Sequence, residues 1–483
     1  MKTYLFYDIE TSGLNPAFDQ VLTFACIRTD ECLNELARET ITIRLRPDVV
    51  PSPYAFLTHC LTPAELEQGI CEYEAACKIH ALLNTPDTIS CGYNSLGFDD
   101  EFLRFLFYRN LLDPYSHQYA NGCSRIDMLP VATVFRLFHP AVLDWPVRED
   151  GNPSMKLEHI CQENGFEVSG RAHEAMADVE ALLCLARRLS VQHQVWEYVL
   201  GFYDKNEDLN RSERLGRLVS VGTQRFSMGI MVSVSFGARV NYLAPVIYLG
   251  NSFPYKNQGL WLRTDRDGMF DALDEINGIY DIFVIRKRPA DQYFILPCLD
   301  RFWQRLTPEA IQAHEENLSI MDKDPALFLK TANYHREFSY PLIPDLDWDA
   351  SLYQAGFFSS GEKADMSLFH SLSIGEKAQA CDGFESRRIR EMARRIMDRN
   401  YGGASHALSQ GFLTHMERLA GNLPGEAVRG YKNDTKYTCE EALEELAEIR
   451  SQGETDFEPV QIEILDWLEG YIPGLLSSFA DPL

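Results

Sequence analysis

The stretch Tyr4-Leu5-Phe6-Tyr7-Asp8-Ile9-Glu10-Thr11-Ser12-Gly13 has the pattern of a buried strand that ends in a turn. Aromatic and aliphatic residues come first, and Ser12-Gly13 and Asn15-Pro16 are typical of a break in the chain. Side chains of a strand alternate between its faces, so Asp8 and Glu10 project to the same side. Two carboxylates on one face of an apolar strand repel each other and lose solvation, unless cations lie between them. Such hard oxygen ligands suit Mg²⁺ or Mn²⁺; the alternative is a strand end with two solvated acids.

The composition is that of a folded chain with several domains. Its 483 residues are 45% hydrophobic and 12% aromatic, which predicts two to four domains with cores of their own. The apolar run after Lys2 is interrupted at Asp8 and is too short for a secretory signal, and no run approaches the length of a membrane span. The twelve cysteines include no Cys-x-x-Cys pair, which argues against a zinc module and predicts reduced thiols in a cytoplasm.

The net charge of the chain is strongly negative. It has 45 basic and 71 acidic residues, a formal net charge of −26. Phosphate binding is driven by basic surface, so the composition alone argues against a nucleic-acid partner. A net charge does not exclude a local basic groove, and an acidic exterior would confine binding to that groove.

The first third of the chain predicts an α/β sandwich, because strands are followed by alternating strands and helices. Residues with strand-like patterns predict strands at Tyr4–Tyr7, Val21–Ile27, Thr40–Leu45 and Thr88–Asn94. Apolar residues recurring three and four apart predict helices at Pro63–Gly69, Glu72–Leu83, Phe98–Leu112, Lys156–Asn164 and Glu174–Leu189.

The pattern changes near residue 200. The charged segment Asn206–Arg217 predicts a linker, and short strand-like runs between residues 226 and 295 predict a small β-rich domain. Beyond Pro344 the pattern is helical. Thr438-x-x-Glu441 has the form of a capping box that opens a helix, and Pro459–Gly470 predicts the last helix. The predicted domains are residues 1–190, 200–345 and 350–483.

Two further acidic signals accompany Asp8 and Glu10. Asp99 and Asp100 follow Phe98 at a predicted strand-to-helix junction, where an Asp can point into a cleft. The alternative is an acidic first turn that the helix dipole favours. His173 and Asp178 are five residues apart, about 140° on one helix, so they share a site only if His173 lies in the loop before the helix. Asp178 lies in an apolar-patterned segment, where a carboxylate needs a partner.

The order Asp-x-Glu, Phe-Asp, His-x4-Asp resembles the DEDDh family of 3′→5′ exonucleases. The resemblance implies two divalent ions, Mg²⁺ with Mn²⁺ as the alternative, held by Asp8, Glu10, Asp99 and Asp178, with His173 as general base. These roles agree with physical chemistry, since two ions can clamp the attacking and leaving oxygens at phosphorus and a histidine can accept the proton of a water. Asp100 competes with Asp99, and the family's Phe-Asp pattern favours Asp99.

Further segments look like the bacterial exodeoxyribonuclease I family, among them Phe107-Tyr108-Arg109-Asn110, Asp113-Pro114-Tyr115, Leu157-Glu158-His159 and Gly356-Phe357-Phe358-Ser359. This resemblance covers nearly the full length. It implies a ribonuclease H-like exonuclease domain, an SH3-like β-rich domain and a C-terminal helical domain that closes a groove around single-stranded DNA. It also implies a monomer, and a partner in the single-stranded DNA-binding protein, whose acidic C-terminal tail needs basic residues such as the arginines of 387–399.

Several residues are expected at the substrate: Glu10, Lys156, Arg104, Tyr115, Tyr119 and Arg125. These cationic side chains suit phosphates, as does Arg109 near the same segments, and the tyrosines suit stacking on bases. Ordinary packing is the alternative for each aromatic residue. The family has an arginine where this chain has Lys156; lysine keeps the charge but loses the bidentate fork.

The first hypothesis is therefore a cytoplasmic, metal-dependent exonuclease that removes nucleoside 5′-monophosphates from the 3′ end of single-stranded DNA, in DNA repair and recombination. An exoribonuclease or a proofreading-type exonuclease uses the same chemistry. The hypothesis from another class is a nucleic-acid-binding scaffold without catalysis, which should have lost at least one of the five predicted catalytic residues; all five are present.

Overall fold

The computed structural model describes residues 2–168, 174–266, 283–402, 408–419, 427–453 and 457–480. The chain forms two compact units. One consists of Met1–Arg125, Val168–Glu180 and Leu342–Leu483, and the other of Ile126–Glu167 and Ala181–Pro341. The C-terminal residues thus belong to the same unit as the N-terminal strands. The three domains predicted from the sequence stay a prediction, because the division into two units reflects contacts between residues and not changes of pattern along the chain.

The strands are β1 (Thr3–Thr11), β2 (Val21–Thr29), β3 (Glu35–Thr42), β4 (Thr88–Gly92), β5 (Ser124–Asp127), β6 (Arg217–Val221), β7 (Gln224–Val232), β8 (Leu243–Asn251), β9 (Gly259–Arg263), β10 (Val284–Lys287) and β11 (Phe294–Leu296).

The helices are α1 (Pro53–His59), α2 (Pro63–Gln68), α3 (Glu72–Leu83), α4 (Asp99–Arg109), α5 (Met128–Phe138), α6 (Leu157–Asn164), α7 (Ala175–Ser190), α8 (His193–Leu200), α9 (Lys205–Glu213), α10 (Asp300–Trp303), α11 (Pro308–Lys323), α12 (Pro325–Glu337), α13 (Ser360–Ser371), α14 (Ile374–Ala380), α15 (Arg387–Tyr401), α16 (Gln410–Leu419), α17 (Cys439–Ser451) and α18 (Pro459–Ala480).

Strand β1 occupies the centre of a five-stranded sheet with the order β3-β2-β1-β4-β5. It pairs antiparallel with β2 and parallel with β4, so it is hydrogen-bonded on both edges. Leu5, Tyr7 and Ile9 of β1 point into a core that α3 and α4 complete. The predicted α/β class is confirmed, and the strand that carries Asp8 and Glu10 is the central one.

The predicted third strand is displaced. Residues 40–45 were expected, whereas β3 spans Glu35–Thr42. Its first six residues are exposed, because β3 lies at the edge of the sheet. An exposed edge strand carries no alternating apolar signal, so its first residues could not be read from the sequence.

The C-terminal helices share a core with the N-terminal residues of their unit. Phe56 and Tyr108 are buried in the same cluster as Phe369 and Ile396. The last helix was predicted to end at Gly470, but α18 continues to Ala480. The reason is burial: apolar residues keep a helical spacing on both sides of Gly470, at Ile464, Leu465, Leu468, Ile472 and Leu475.

The second unit holds a six-stranded sheet in which β10-β9-β8-β7-β11 follow one another and β6 pairs with β7. The β-rich character predicted for this part is confirmed. The prediction of a linker at 206–217 is wrong, because helix α9 begins at Lys205 after its capping residue Asp204 and occupies most of that segment. Helices α11 and α12 were also missed. Both begin with a capping residue followed by proline, Thr307-Pro308 and Asp324-Pro325, a signal visible in the sequence.

In the part of the chain that the structure describes, no helix is both long and apolar enough to cross a bilayer.

Candidate active site

The site is built on β1, whose alternation places Asp8 and Glu10 on one face and Tyr7 and Ile9 on the other. Tyr7 and Ile9 are buried, whereas Asp8 and Glu10 are half-buried. Opposite them on β2 lie Ala25 and Thr23, small side chains that leave room above the strand. The two carboxylates therefore share a face, as the sequence predicted.

Helix α7 brings a third carboxylate to this face. Oxygen atoms of Asp8, Glu10 and Asp178 all lie within 4.8 Å of one another. Asp178 occupies the first turn of α7, whose neighbouring residues Ala177 and Val179 are buried. The apolar pattern of the helix thus fixes the rotation that directs Asp178 toward β1.

Asp99 contributes the fourth charge. It is the first residue of α4 and is buried. Burial raises the pKa of Asp8 well above its usual range, and the charges of Asp99, Glu10 and Asp178 raise it further. Burial and the charges of Asp178 and Asp99 do the same for the pKa of Glu10. The four predicted carboxylates are thus close enough to repel one another.

A close turn places α4 against the end of β4. Gly92 ends the strand, and a Cβ atom there would lie 2.4 Å from the Cβ atom of Ser95, so only glycine fits. The carbonyl of Ser95 accepts the backbone N–H of Asp100 at 2.8 Å, which fixes the first turn of the helix. Acidic side chains in that turn are favoured by the helix dipole.

Asp99 and Asp100 face different surroundings. While Asp99 acts on the carboxylates of β1, Asp100 accepts hydrogen bonds from Tyr7 Oη at 3.2 Å and from Arg125. Burial opposes ionisation of Asp100, but Arg125 and Arg104 hold its pKa below the usual value. Of the two candidates, Asp99 is the one that the geometry places with the acidic group.

The donor set fits a divalent cation. Carboxylate oxygens at this spacing are hard ligands, and burial and the neighbouring carboxylates raise the pKa values of Asp8 and Glu10. A divalent ion bound by these oxygens would remove the repulsion. We call Asp8, Glu10, Asp99 and Asp178 the acidic site.

The predicted general base and the predicted cationic substrate contacts do not all lie at the acidic site. His173 lies outside the described residues. Arg104 is buried and paired with Glu101, whose second oxygen accepts from Tyr353. Lys156 belongs to the second unit, where its exposed side chain pairs with Glu158 at 3.1 Å. Their roles at a substrate stay predictions.

The aromatic candidates differ in exposure, and Tyr115 is half-buried. Tyr119 is 58% exposed. The ring of Tyr115 lies 5.8 Å from the guanidinium of Arg104 and 5.9 Å from the ring of Phe357, which is 86% exposed. Phe357 was not predicted as a substrate contact, because the signal is a large apolar side chain left exposed by the fold, which sequence cannot give. Arg109, by contrast, is fully buried in a pair with Glu72, so its guanidinium cannot reach a phosphate.

Comparisons with known proteins agree with this geometry. Residues 5–185 match the model of the exonuclease family RNase_T. These residues are similar to an exonuclease domain. The match spans β1, α4 and the first turns of α7, the three elements that carry the acidic site, and it confirms the predicted enzyme class. A nuclease of this family depends on a divalent metal, which the donor set accommodates.

The similarity extends beyond that domain. The chain is 29% identical to exodeoxyribonuclease I of Escherichia coli over 477 residues, covering 93% of this chain and 95% of that protein. It is 29% identical to exodeoxyribonuclease I of Haemophilus influenzae, covering 81% and 84%. The crystal structure of E. coli exonuclease I in complex with a dA16 oligonucleotide superposes with a TM-score of 0.80 at 26% identity, covering 98% of this chain and 100% of that one. The predicted resemblance and fold are confirmed along almost the whole chain.

Proposed function

We propose that this protein is a metal-dependent exonuclease that degrades single-stranded DNA from the 3′ end to nucleoside 5′-monophosphates, in DNA repair and recombination. The observation that carries the proposal is the acidic site: three carboxylates with oxygens within 4.8 Å of one another, and a fourth charge beside them, in a chain similar to exodeoxyribonuclease I over nearly its whole length.

In this proposal Asp8, Glu10, Asp99 and Asp178 hold two Mg²⁺ ions, with Mn²⁺ as the alternative. When bound, the two ions stabilise the charge that develops on the attacking and leaving oxygens of an in-line displacement at phosphorus. The role of the four side chains is to orient their oxygens before substrate arrives, and β1 supports this because it is paired on both edges.

His173 is proposed as the general base that takes the proton of the attacking water. The support comes from the sequence, in which His173 precedes Asp178 by five residues, directly before helix α7. An imidazole that titrates near neutral pH can accept a proton at the nucleophile and release it to solvent. Replacement by alanine should lower turnover with little change in DNA affinity.

Tyr115, Tyr119 and Phe357 are proposed to stack on bases of the strand. Stacking does not depend on base identity, so it suits an enzyme that must pass every sequence. The exposure of Tyr119 and Phe357 supports this role, and so does the position of the half-buried Tyr115 beside Arg104. The overall charge of −26 is compatible with such binding because stacking and local cations do not need a basic exterior.

The test gives purified protein a single-stranded DNA labelled at its 5′ end, with Mg²⁺ or with chelator. A matched RNA and a 3′-blocked DNA run alongside. Asp178→Ala is the inactive variant, and Glu31→Ala, which removes an exposed acid in the turn after β2, is its matched control. A metal-dependent ladder shortening from the 3′ end, lost only in Asp178→Ala, is the expected result.

Other outcomes point to the alternatives. Degradation of the RNA with intact DNA would identify an exoribonuclease. Binding of either strand without cleavage would identify the non-catalytic scaffold.

We propose a reducing cytoplasm as the compartment and a monomer as the working form. All twelve cysteines lie in described residues and none forms a disulfide, although most are at least half-buried and shielded. Thiols in this number persist where glutathione keeps them reduced. Sedimentation at two protein concentrations would test the oligomeric state.

The acidic C-terminal tail of a single-stranded DNA-binding protein is proposed as a partner. Support comes from a cavity of about 330 Å³ that Arg387, Arg394 and Arg395 of α15 line together with Trp348 and Phe412. Arg387 is exposed, with its guanidinium 5.4 Å from the ring centre of Trp348. A labelled acidic tail peptide should bind the protein and bind Arg387→Glu at least tenfold more weakly; unchanged binding would place the tail elsewhere.

A further inference from the structure

Asp100 is the centre of a buried contact that the catalytic assignment does not use. It is 1% exposed and follows Asp99 in the first turn of α4. One oxygen accepts the hydroxyl of Tyr7 at 3.2 Å and the other accepts the guanidinium of Arg125. Arg104 lies 3.7 Å from the same carboxylate.

These contacts join two of the elements that carry the acidic site, β1 and α4, to strand β5. Tyr7 precedes Asp8 on β1, and its ring stacks on Phe24 of β2 with ring centres 5.8 Å apart. Arg125 belongs to β5, on the far side of β4 from β1. Asp100 therefore ties the first turn of α4 to two strands of the sheet. It is adjacent in sequence to Asp99, and its partner Tyr7 is adjacent to Asp8.

The positive charges of Arg125 and Arg104 hold the Asp100 carboxylate in place. A buried carboxylate that loses its cation remains as an uncompensated charge and moves toward water. The side chain of Arg125 is 21% exposed and is engaged with Asp100, which leaves little of it to meet a phosphate. This engagement argues against a direct contact between Arg125 and the substrate, which the sequence had predicted.

We propose that Arg125 is a positioning residue that acts through Asp100 to set Asp99 against Asp8 and Glu10. The inference rests on the proposed nuclease function. Arg125 touches neither the reacting atoms nor the ions in this assignment. Its effect is on geometry, since a ligand displaced by about 1 Å binds its ion and orients the reaction poorly.

The first measurement compares Arg125→Gln with the wild type in two assays. One is the Mg²⁺ concentration that gives half-maximal nuclease rate, and the other is the Mg²⁺ concentration that gives half of the rise in Tm, which needs no turnover. We expect both concentrations to increase by roughly tenfold, which is typical when a residue that orients a metal ligand without touching the metal is replaced. Affinity for single-stranded DNA in chelator should stay within twofold of wild type, and Arg125→Lys should recover most of the loss.

The decisive measurement is a double-mutant cycle with Asp100→Asn, which removes the buried charge but keeps an acceptor for Tyr7. If Arg125 acts through Asp100, Arg125→Gln should add less than twofold to the Mg²⁺ requirement in the Asp100→Asn background. Arg450→Gln is the control, because it removes an arginine that is also ion-paired, with Asp466 and Glu469, between α17 and α18.

Two results would overturn the proposal. A loss of DNA affinity in Arg125→Gln with an unchanged Mg²⁺ requirement would make Arg125 a direct phosphate contact. A full effect of Arg125→Gln on the Mg²⁺ requirement in the Asp100→Asn background would show that Arg125 does not act through Asp100. A wild-type protein that binds Mg²⁺ by the Tm assay but degrades no DNA would contradict the proposed function instead. The Tm-based cycle would still test the positioning role.

Discussion

Two groups of carboxylates in one unit of this protein have pKa values that move in opposite directions. At the acidic site, burial and neighbouring carboxylates raise the pKa of Asp8 and Glu10. Asp48, in the segment after β3, and Glu72, at the start of α3, are fully buried, but arginines overcome the burial and hold both pKa values down.

The second group is an ion-pair cluster formed by Arg46, Asp48, Glu72, Arg109, Asp349 and Arg399. Arg46 donates to Glu72 at 2.8 Å and to Asp48 at 3.1 Å. Arg399 of α15 donates to Asp48 at 2.9 Å and also pairs with Asp349. The cluster joins the segment after β3 and helices α3 and α4 to the C-terminal helices.

The difference lies in where the compensating cations come from. The ion-pair cluster carries its own, so its carboxylates are ionised and contribute to folding. The charges that raise the pKa values of Asp8 and Glu10 are those of neighbouring carboxylates, and a divalent cation bound from solution would offset their repulsion. The carboxylates of the ion-pair cluster thus stabilise the fold, whereas those of the acidic site can bind a metal ion.

The largest effect is expected from the same substitution made in each group. Asp8→Asn should lower the rate of single-stranded DNA cleavage by at least about 10³-fold, because it removes a ligand whose charge is used in the transition state. Asp48→Asn should keep near-normal activity per folded molecule. The rate of single-turnover cleavage gives this comparison, once it is divided by the folded fraction that circular dichroism measures. An Asp8→Asn protein with more than a tenth of the normal rate would contradict the assignment.

The same two variants should reverse their order in stability. Asp48→Asn removes a buried counter-charge that Arg46 and Arg399 share, and we expect it to lower the free energy of unfolding by about 3–5 kcal/mol. Asp8→Asn leaves no such charge. Urea unfolding followed by tryptophan fluorescence gives both values. If Asp48→Asn costs less than about 1 kcal/mol, the ion-pair cluster does not stabilise the fold in the way that its contacts indicate.

Acid unfolding should report the ion-pair cluster through Glu72. Burial opposes ionisation, but Arg109 and Arg46 lower the pKa of Glu72 from 4.5 to about 2. Because the pKa is lower in the folded state, the stabilisation is present above pH 4.5 and is lost as the pH falls toward 2. The shift corresponds to about 3 kcal/mol. Glu72→Gln should flatten the stability–pH curve between pH 4.5 and 2, and an unchanged slope would contradict this origin.

Much of the site was readable from sequence because it follows from local rules. Alternation on a strand placed Asp8 and Glu10 on one face, and the apolar spacing of α7 directed Asp178 inward. The choice between Asp99 and Asp100 rested on resemblance, since both occupy one helical turn. Only tertiary contacts with Tyr7 and Arg125 separate them.

The partners of the basic residues were not readable. Arg104, Arg109 and Arg125 were all expected to suit phosphates, because a sequence shows a positive charge but not which acid it meets after folding. Arg109 pairs with Glu72, 37 residues earlier in the chain, and Arg125 pairs with Asp100. The ion-pair cluster was missed for the same reason, since its members come from segments far apart in sequence.

The smallest expected effect is also the one that most sharpens the comparison. In chelator, Asp8→Asn should raise the free energy of unfolding by about 1 kcal/mol, because it relieves repulsion among Asp8, Glu10, Asp99 and Asp178. With Mg²⁺ at about 100 times its Kd the wild type should gain about 2.7 kcal/mol, and the variant much less, so their order of stability should invert. Urea unfolding in both buffers, with Glu31→Gln as a control for the loss of one surface charge, makes the measurement. An Asp8→Asn protein that is less stable in chelator would mean that Asp8 is compensated from within the fold, and the distinction between the two groups would then disappear.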